Sequence, residues 1–383
     1  MLSSRPLRGM RVLDLTRLAP GPFASLLLVD LGAEVIKVED PAFGDPARYG
    51  LPGQSSPGEG DSALFRLLNR GKKSITCNLK SVQGRVIMMQ LIAGADVLLE
   101  GFRPGVMKRL GLDYEAALEA NPRLVYASLS GFGQDGPCRQ KAGHDLSCMA
   151  LSGWLDLTGA ADGAPALSAI PIADMASALW LALAVTAALL ERERTGKSCY
   201  LDLAMLDSVC ALMAVPVAEM MSGSSLPQRG DTMLTGKLAC YNLYQTEDGR
   251  YMSLAAIEPR FWESFCSAVG REDWLSRQYE PEQRTLISEV ADLFRGKPRG
   301  YWVELFSNRD CCCEPVLTLE EAAAHSQIQA RGLWREGILH CPLGSCEGAD
   351  AAAPRLGEYT AQVLAELGYT LEDVEALRSE GVV

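Results

Sequence analysis

Between Ile170 and Leu190 the chain reads IPIADMASALWLALAVTAALL. One carboxylate, Asp174, heads sixteen uncharged and almost wholly apolar residues, Met175–Leu190, before Glu191-Arg-Glu-Arg-Thr-Gly-Lys197 returns the chain to water. Pro171 limits a helix upstream, Asp174 is a natural N-cap and Gly196 a natural stop. Apolar residues fall on every face, so this helix is expected to be buried all round. A membrane span needs about 20 apolar residues, and this run is shorter and opens on an acid, so no span is expected. The stretch reads as the central core helix of a soluble domain. A carboxyl at the edge of such an interior either caps backbone N–H groups or carries protons; residue type alone favours the cap.

At 383 residues the chain exceeds one ordinary core, and two domains are expected. The net charge of −12 argues against nucleic acid or anionic membrane as a partner of the bulk surface, so an anionic ligand requires a local basic patch. Twelve cysteines without a signal peptide point to a reducing, cytoplasmic setting, and the terminal GVV is no peroxisomal address. Neither Cys311-Cys312-Cys313 nor His340-Cys341 with Cys346 has the ligand spacing of a zinc site, and no metal is expected.

The order of elements points to an α/β fold. Arg11–Leu15 reads as a short buried strand, followed by an apolar helix to about Leu31 and a second strand, Glu34–Val38. A strand–helix–strand opening suggests a parallel, doubly wound sheet. Residues 41–62 form a long loop rich in Gly, Pro, Ser and Asp. Charge then inverts: from Arg66 to Ala95 there are six basic residues and no acid. Asn69-Arg70-Gly-Lys72-Lys73-Ser74 leads into an expected strand Ile75–Leu79, and Phe102-Arg103-Pro104-Gly105 with Lys108-Arg109 follows the strand Val97–Leu99. Two basic loops beside neighbouring strands of an acidic protein suit a phosphate-bearing ligand, and solvated surface lysines are the equal alternative.

The strand Arg123–Leu129 runs into Gly131-Phe-Gly133-Gln-Asp-Gly136, which fits the dinucleotide pattern G-x-G-x-x-G. That fingerprint needs a helix to open within the glycines, whereas Pro137 and the run through Lys141 to Gly143 prolong the loop. A nicotinamide site is rejected. Gly143-His144-Asp145 then opens a helix; a lone helical histidine is more often structural. Cys199–Leu203 reads as a last strand, followed by a helix from Ala204 to about Met221. The expected division is a large domain 1–221, a linker 222–232 and a small α+β domain 233–318, with two closing helices within 357–379. The small domain opens with a hairpin, Leu238–Gln245 with Tyr251–Ala256, and Glu258-Pro259 starts a helix.

Five stretches carry a resemblance to the class III CoA-transferases and α-methylacyl-CoA racemases. They are RVLDLTRLAPGPFASLLLVDLGAEVIKVEDP, LLNRGKKSITCNLKS, the segment 102–118, NPRLVYASLSGFGQDGP and LGEYTAQVLAELGY. The resemblance implies a Rossmann-like CoA-binding domain, a smaller domain, a return segment 319–383 packing on the large domain, and two chains interlocked as a homodimer with the active site between them. It implies that Asp174 is the nucleophile in a transferase, or one of two proton carriers in a racemase. His144, in Gly143-His144-Asp145, is the second carrier of the racemase branch, where transferases usually have another residue. Ile257-Glu258-Pro259 also looks like the racemase small domain. Glu258, or alternatively Asp145, is then expected to orient His144. Arg70, Lys72, Lys73, Arg103, Arg109 and Lys141 are expected to hold the CoA phosphates, and N–H groups at the start of the Asp174 helix to meet the enolate oxygen. Coenzyme A is part of the substrate and no separate cofactor is expected. Racemase is the first reading, transferase the second, and a non-catalytic acyl-CoA binding protein the third. The sequence departs from the family at Asp40-Pro41, where relatives place an arginine, at Glu100-Gly101, and at the cysteine triplet.

Overall fold

The computed structural model describes residues 5–50, 60–223, 226–335, 338–340, 342 and 351–383. The pair Cys341 and Cys346 lies outside these. The chain divides into two compact units: Met1–Ser152, Ser168–Met213 and Gly332–Val383 form the first, Gly153–Leu167 and Ala214–Arg331 the second. The boundaries differ from those expected. The second unit starts at Ala214 and runs to Arg331, and it borrows Gly153–Leu167 from within the first.

The first unit is built on six parallel strands: β1 Arg11–Asp14, β2 Glu34–Glu39, β3 Lys73–Thr76, β4 Val97–Glu100, β5 Val125–Ser130 and β6 Cys199–Ala204. Their order is β3-β2-β1-β4-β5-β6. This is the Rossmann order, in which the chain reverses direction between β1 and β4 and opens a crevice at their carboxyl ends. Strand residues alternate between the two faces. Leu13, Ile36, Leu98 and Tyr126 pack on one side with the helix Val82–Ala93 and the closing helices Thr360–Glu366 and Leu371–Ser379. Val12, Val35, Val97, Leu99 and Val125 pack on the other with the helices Pro20–Asp30 and Ile172–Thr195. Helices on both faces explain why the strands are short continuous apolar runs.

Four local expectations are corrected. The third strand begins at Lys73 and ends at Thr76, because Ser74 and Thr76 pair inward with Glu39 and Thr360. The helix after β6 is interrupted at Met213. The apolar helix begins at Ile172, so Asp174 is its third residue and not its N-cap. Nor is that helix buried all round. Ala173, Ala178, Leu181, Val185 and Leu189 are buried, while Leu179, Trp180, Leu183 and Leu190 are exposed. It is the one described helix long and apolar enough to cross a membrane, and half of its most apolar window is buried within the chain.

The second unit carries a three-stranded antiparallel sheet, β7 Tyr241–Gln245, β8 Tyr251–Ala255 and β9 Cys313–Pro315. It packs on an aromatic core of Trp262, Phe265, Trp274, Phe294 and Trp302. Cys311 and Cys313 belong to this core, and burial pushes the Cys311 thiol up to about 11, which leaves it a packing residue.

Candidate active site

The switch point between β1 and β4 holds a cleft of about 390 Å³. Its floor is the turn after β1, Thr16–Leu18 with Pro20 and Gly21. The sequence builds this turn from buried polar groups. Asp14 accepts hydrogen bonds from the Thr16 amide at 2.9 Å, the Thr16 hydroxyl and Ser25. Burial would raise the Asp14 pKa, but Lys72 and Lys37 hold it down at about 2. Lys37, fully buried, pairs with Asp45 at 2.8 Å and donates to the Thr16 carbonyl at 3.0 Å. Asp45 in turn accepts the Leu18 amide at 3.0 Å. Leu18 is thereby held at φ +66°, a left-handed conformation that a leucine adopts only when its surroundings impose it. Gly21 is required beside it, since a Cβ there would lie 2.1 Å from that of Thr16.

The opposite wall comes from the loops after β4 and β5. Phe102, Arg103 and Pro104 follow β4; Gly131, Phe132, Arg139, Lys141 and His144 follow β5. The stretch Gly131–Gly143 is turn and loop, with no helix opening inside it, and the next helix, Asp145–Leu151, starts after His144. Four cations, Arg17, Arg103, Arg139 and Lys141, line the cleft. Arg17 lies over the Phe102 ring at 5.0 Å.

Asp174 closes the cleft from the first turn of the long helix, and His144 faces the same space. Asp145 links the two segments. Its Oδ1 accepts the amide of Ala173 at 2.6 Å and that of Asp174 at 3.2 Å, so it caps from outside the helix that bears Asp174. Burial first, then the charge of Asp145, push the Asp174 carboxyl from an ordinary 3.8 up to about 6, against a smaller opposing effect of His144. A carboxyl so placed exchanges protons near neutrality.

The sequence profile of CoA-transferase family III matches residues 7–368. The chain belongs to CoA-transferase family III. Among its relatives, α-methylacyl-CoA racemase of Mus musculus is 35% identical, over 98% of this chain and 97% of that protein. Succinyl-CoA:glutarate CoA-transferase of Mus musculus is 32% identical, over all of this chain and 91% of that protein. A crystal structure of a CAIB/BAIF family protein from Brucella suis superposes with a TM-score of 0.80 at 30% identity, covering 94% of this chain and 99% of that one.

Within this family member, the first unit brings His144, Asp174, Arg103 and Lys141 together. Other expected ligand-binding residues are withdrawn from the cleft. Arg70 makes a buried two-pronged pair with Asp30 at 2.8 and 2.9 Å. Lys72 is buried and donates to Ser25, Asn69, the Pro22 carbonyl and Asp14; burial lowers its pKa to about 8 against the pull of Asp14. Lys73 pairs with Glu34 at 2.6 Å. The reason is topological. This basic group sits at the amino-terminal end of β3, whereas ligands of a parallel sheet sit beyond the carboxyl ends of the strands. Arg109 is exposed, with its guanidinium close to Gly105, and does not line the cleft. Asp145 caps the Asp174 helix. Glu258 stands at the N-cap of the helix Pro259–Val269 in the second unit. Arg17 and Arg139 were missed. Arg17 was findable, since it immediately follows the first strand, where this fold binds ligands.

Proposed function

We propose that this chain inverts the α-carbon of 2-methyl-branched acyl-CoA thioesters, with His144 and Asp174 as proton carriers on opposite faces of an enolate. The observation that supports it is a carboxyl raised to about 6 lining the same cleft as an imidazole. In one direction the neutral imidazole takes the α-proton as the C–H bond breaks, electrons pass to the thioester oxygen, and the Asp174 carboxyl delivers its proton to the other face. In the reverse direction the roles exchange. The amides of Ala173, Asp174 and Met175 already bond to Asp145 and the Pro171 carbonyl. The field of the helix N-terminus, rather than those amides as direct donors, then favours the enolate charge.

Arg17, Arg103, Arg139 and Lys141 hold the CoA phosphates in this reading. A second cleft of about 340 Å³ shares Thr16, Arg17 and Phe102 with the first and adds Asn78 and Lys80, and it receives the nucleotide end. CoA enters as part of the substrate, and no resident cofactor is needed. The protein works as a homodimer in the cytoplasm. Support for the dimer is an apolar depression of about 430 Å³ lined by Ile172, Met175, Leu179, Trp180, Leu183 and Leu212, which a second copy would cover.

A CoA-transferase using Asp174 as nucleophile is the second reading, favoured by the transferases among the relatives. Incubation with a chiral 2-methylacyl-CoA in deuterated water separates the two. The racemase incorporates deuterium at the α-carbon without an acceptor acid. CoA exchange that appears only on adding a free acid, without α-deuteration, supports the transferase.

A further inference from the structure

Strand β4 reads Val97-Leu-Leu-Glu100, and all four residues are buried, Glu100 to 4% exposure. Three of them do the packing expected of a central strand. The fourth is a carboxylic acid, which is costly to bury unless its hydrogen bonds are made. They are made in a chain. Glu100 Oε2 accepts the Phe102 amide at 2.8 Å, and the Ser128 hydroxyl also bonds to the carboxyl group. Ser128 Oγ in turn accepts the Tyr200 hydroxyl at 3.2 Å. The chain ties two neighbouring strands, β5 and β6, to the first turn of the loop that leaves β4.

That loop carries functional weight at each position. Phe102 is the wall shared by the two clefts and the platform under Arg17. Pro104 restricts Arg103 to extended backbone, so the remaining freedom of the loop lies at its Gly101–Phe102 end, where Glu100 holds it. Arg103 stands between two spaces. It lines the main cleft and also a cavity of about 270 Å³ containing Glu100, Asp113, Glu115 and Tyr200. Lys108 lines that second space too, but its three acids outnumber it and attract a guanidinium.

We propose that Glu100 is a positioning residue whose hydrogen bond to the Phe102 amide keeps Phe102 and Arg103 turned into the acyl-CoA cleft. This rests on reading that cleft as a CoA site. Untethered, the loop lets Arg103 swing toward Asp113 and Glu115, and the phosphate it served loses a charge-assisted hydrogen bond.

The test is steady-state kinetics on Glu100→Gln, Glu100→Asp and Glu100→Leu, with CoA binding measured by calorimetry on wild type and variants. Gln preserves the acceptor and should keep KM within about twofold of wild type. Asp withdraws the acceptor by one methylene while keeping the acid, and Leu removes it; both should raise KM about tenfold or more, with kcat changed much less. If Leu fails to fold, the Gln and Asp pair still decides. Unchanged KM in the Asp variant, or equal loss in the Gln and Asp variants, overturns the positioning role. Wild-type protein that does not bind CoA overturns the reading of the cleft instead.

Discussion

Replacing Asp174 by Asn removes a carboxyl that the fold holds at about 6 against an ordinary 3.8. A raised carboxyl pKa means that the folded state binds the proton more tightly than the unfolded state, so ionisation destabilises the native protein. The shift of roughly 2 units is worth about 3 kcal/mol at full weight. Asp174 keeps partial contact with solvent, and screening there reduces the expected effect to about 1–2 kcal/mol. The sign fixes the pH window. Wild type and Asp174→Asn should be equally stable below about pH 4, diverge between about pH 4 and 6, and differ by a constant amount above about pH 7. Urea denaturation across that range measures it as a midpoint shift in favour of the variant. Racemisation by the same variant should fall by at least about a hundredfold, since general acid–base groups contribute that much or more. A stability gain that is absent at pH 8, or the same at pH 4 as at pH 8, refutes the raised pKa and with it the proton-carrier assignment.

Asp145→Asn removes the charge that adds to burial at Asp174, so the Asp174 pKa should fall and the acidic limb of the pH–rate profile should move to lower pH. Lys141→Ala should raise KM for acyl-CoA several-fold with kcat nearly unchanged, and the effect should shrink as salt is added. Lys72→Ala should behave oppositely, because it strands a buried Asp14; a loss of about 3–5 kcal/mol of stability is expected in chemical denaturation. If the proposed homodimer forms over the apolar depression between Trp180 and Leu212, Leu183→Asp should leave the protein monomeric in sedimentation where wild type is dimeric, because it puts a charge there.

The sheet was legible because parallel strands covered on both faces leave short apolar runs, and Val12, Val35 and Val97 alternate faces with Leu13, Ile36 and Leu98. His144 and Asp174, which the fold brings to one cleft, were singled out from their setting in a family pattern, Gly143-His144-Asp145 and the helix head. Charge counting was less reliable. Arg70, Lys72 and Lys73 look like a phosphate patch in one dimension, but their partners Asp30, Asp14 and Glu34 lie some 40 to 60 residues away, and only the parallel pairing of β1, β2 and β3 brings them together. The same pairing hid the Lys37–Asp45 prop under Leu18. The capping role of Asp145 was hidden for a related reason. A cap supplied from outside the helix leaves no local signature, so Asp174 itself was read as the cap. The exposed stripe on the long helix escaped because its Leu and Trp residues are as apolar as those facing the sheet.

Exchange from separated enantiomers tests the two-carrier mechanism most directly. Wild type and His144→Ala would each be given the pure R and the pure S thioester in deuterated water, and the α-carbon followed by NMR. Two carriers on opposite faces predict that His144→Ala loses racemisation and loses exchange preferentially from one enantiomer, while Asp174 still exchanges the other. Full wild-type racemisation by His144→Ala, or equal residual exchange from both enantiomers, contradicts the mechanism.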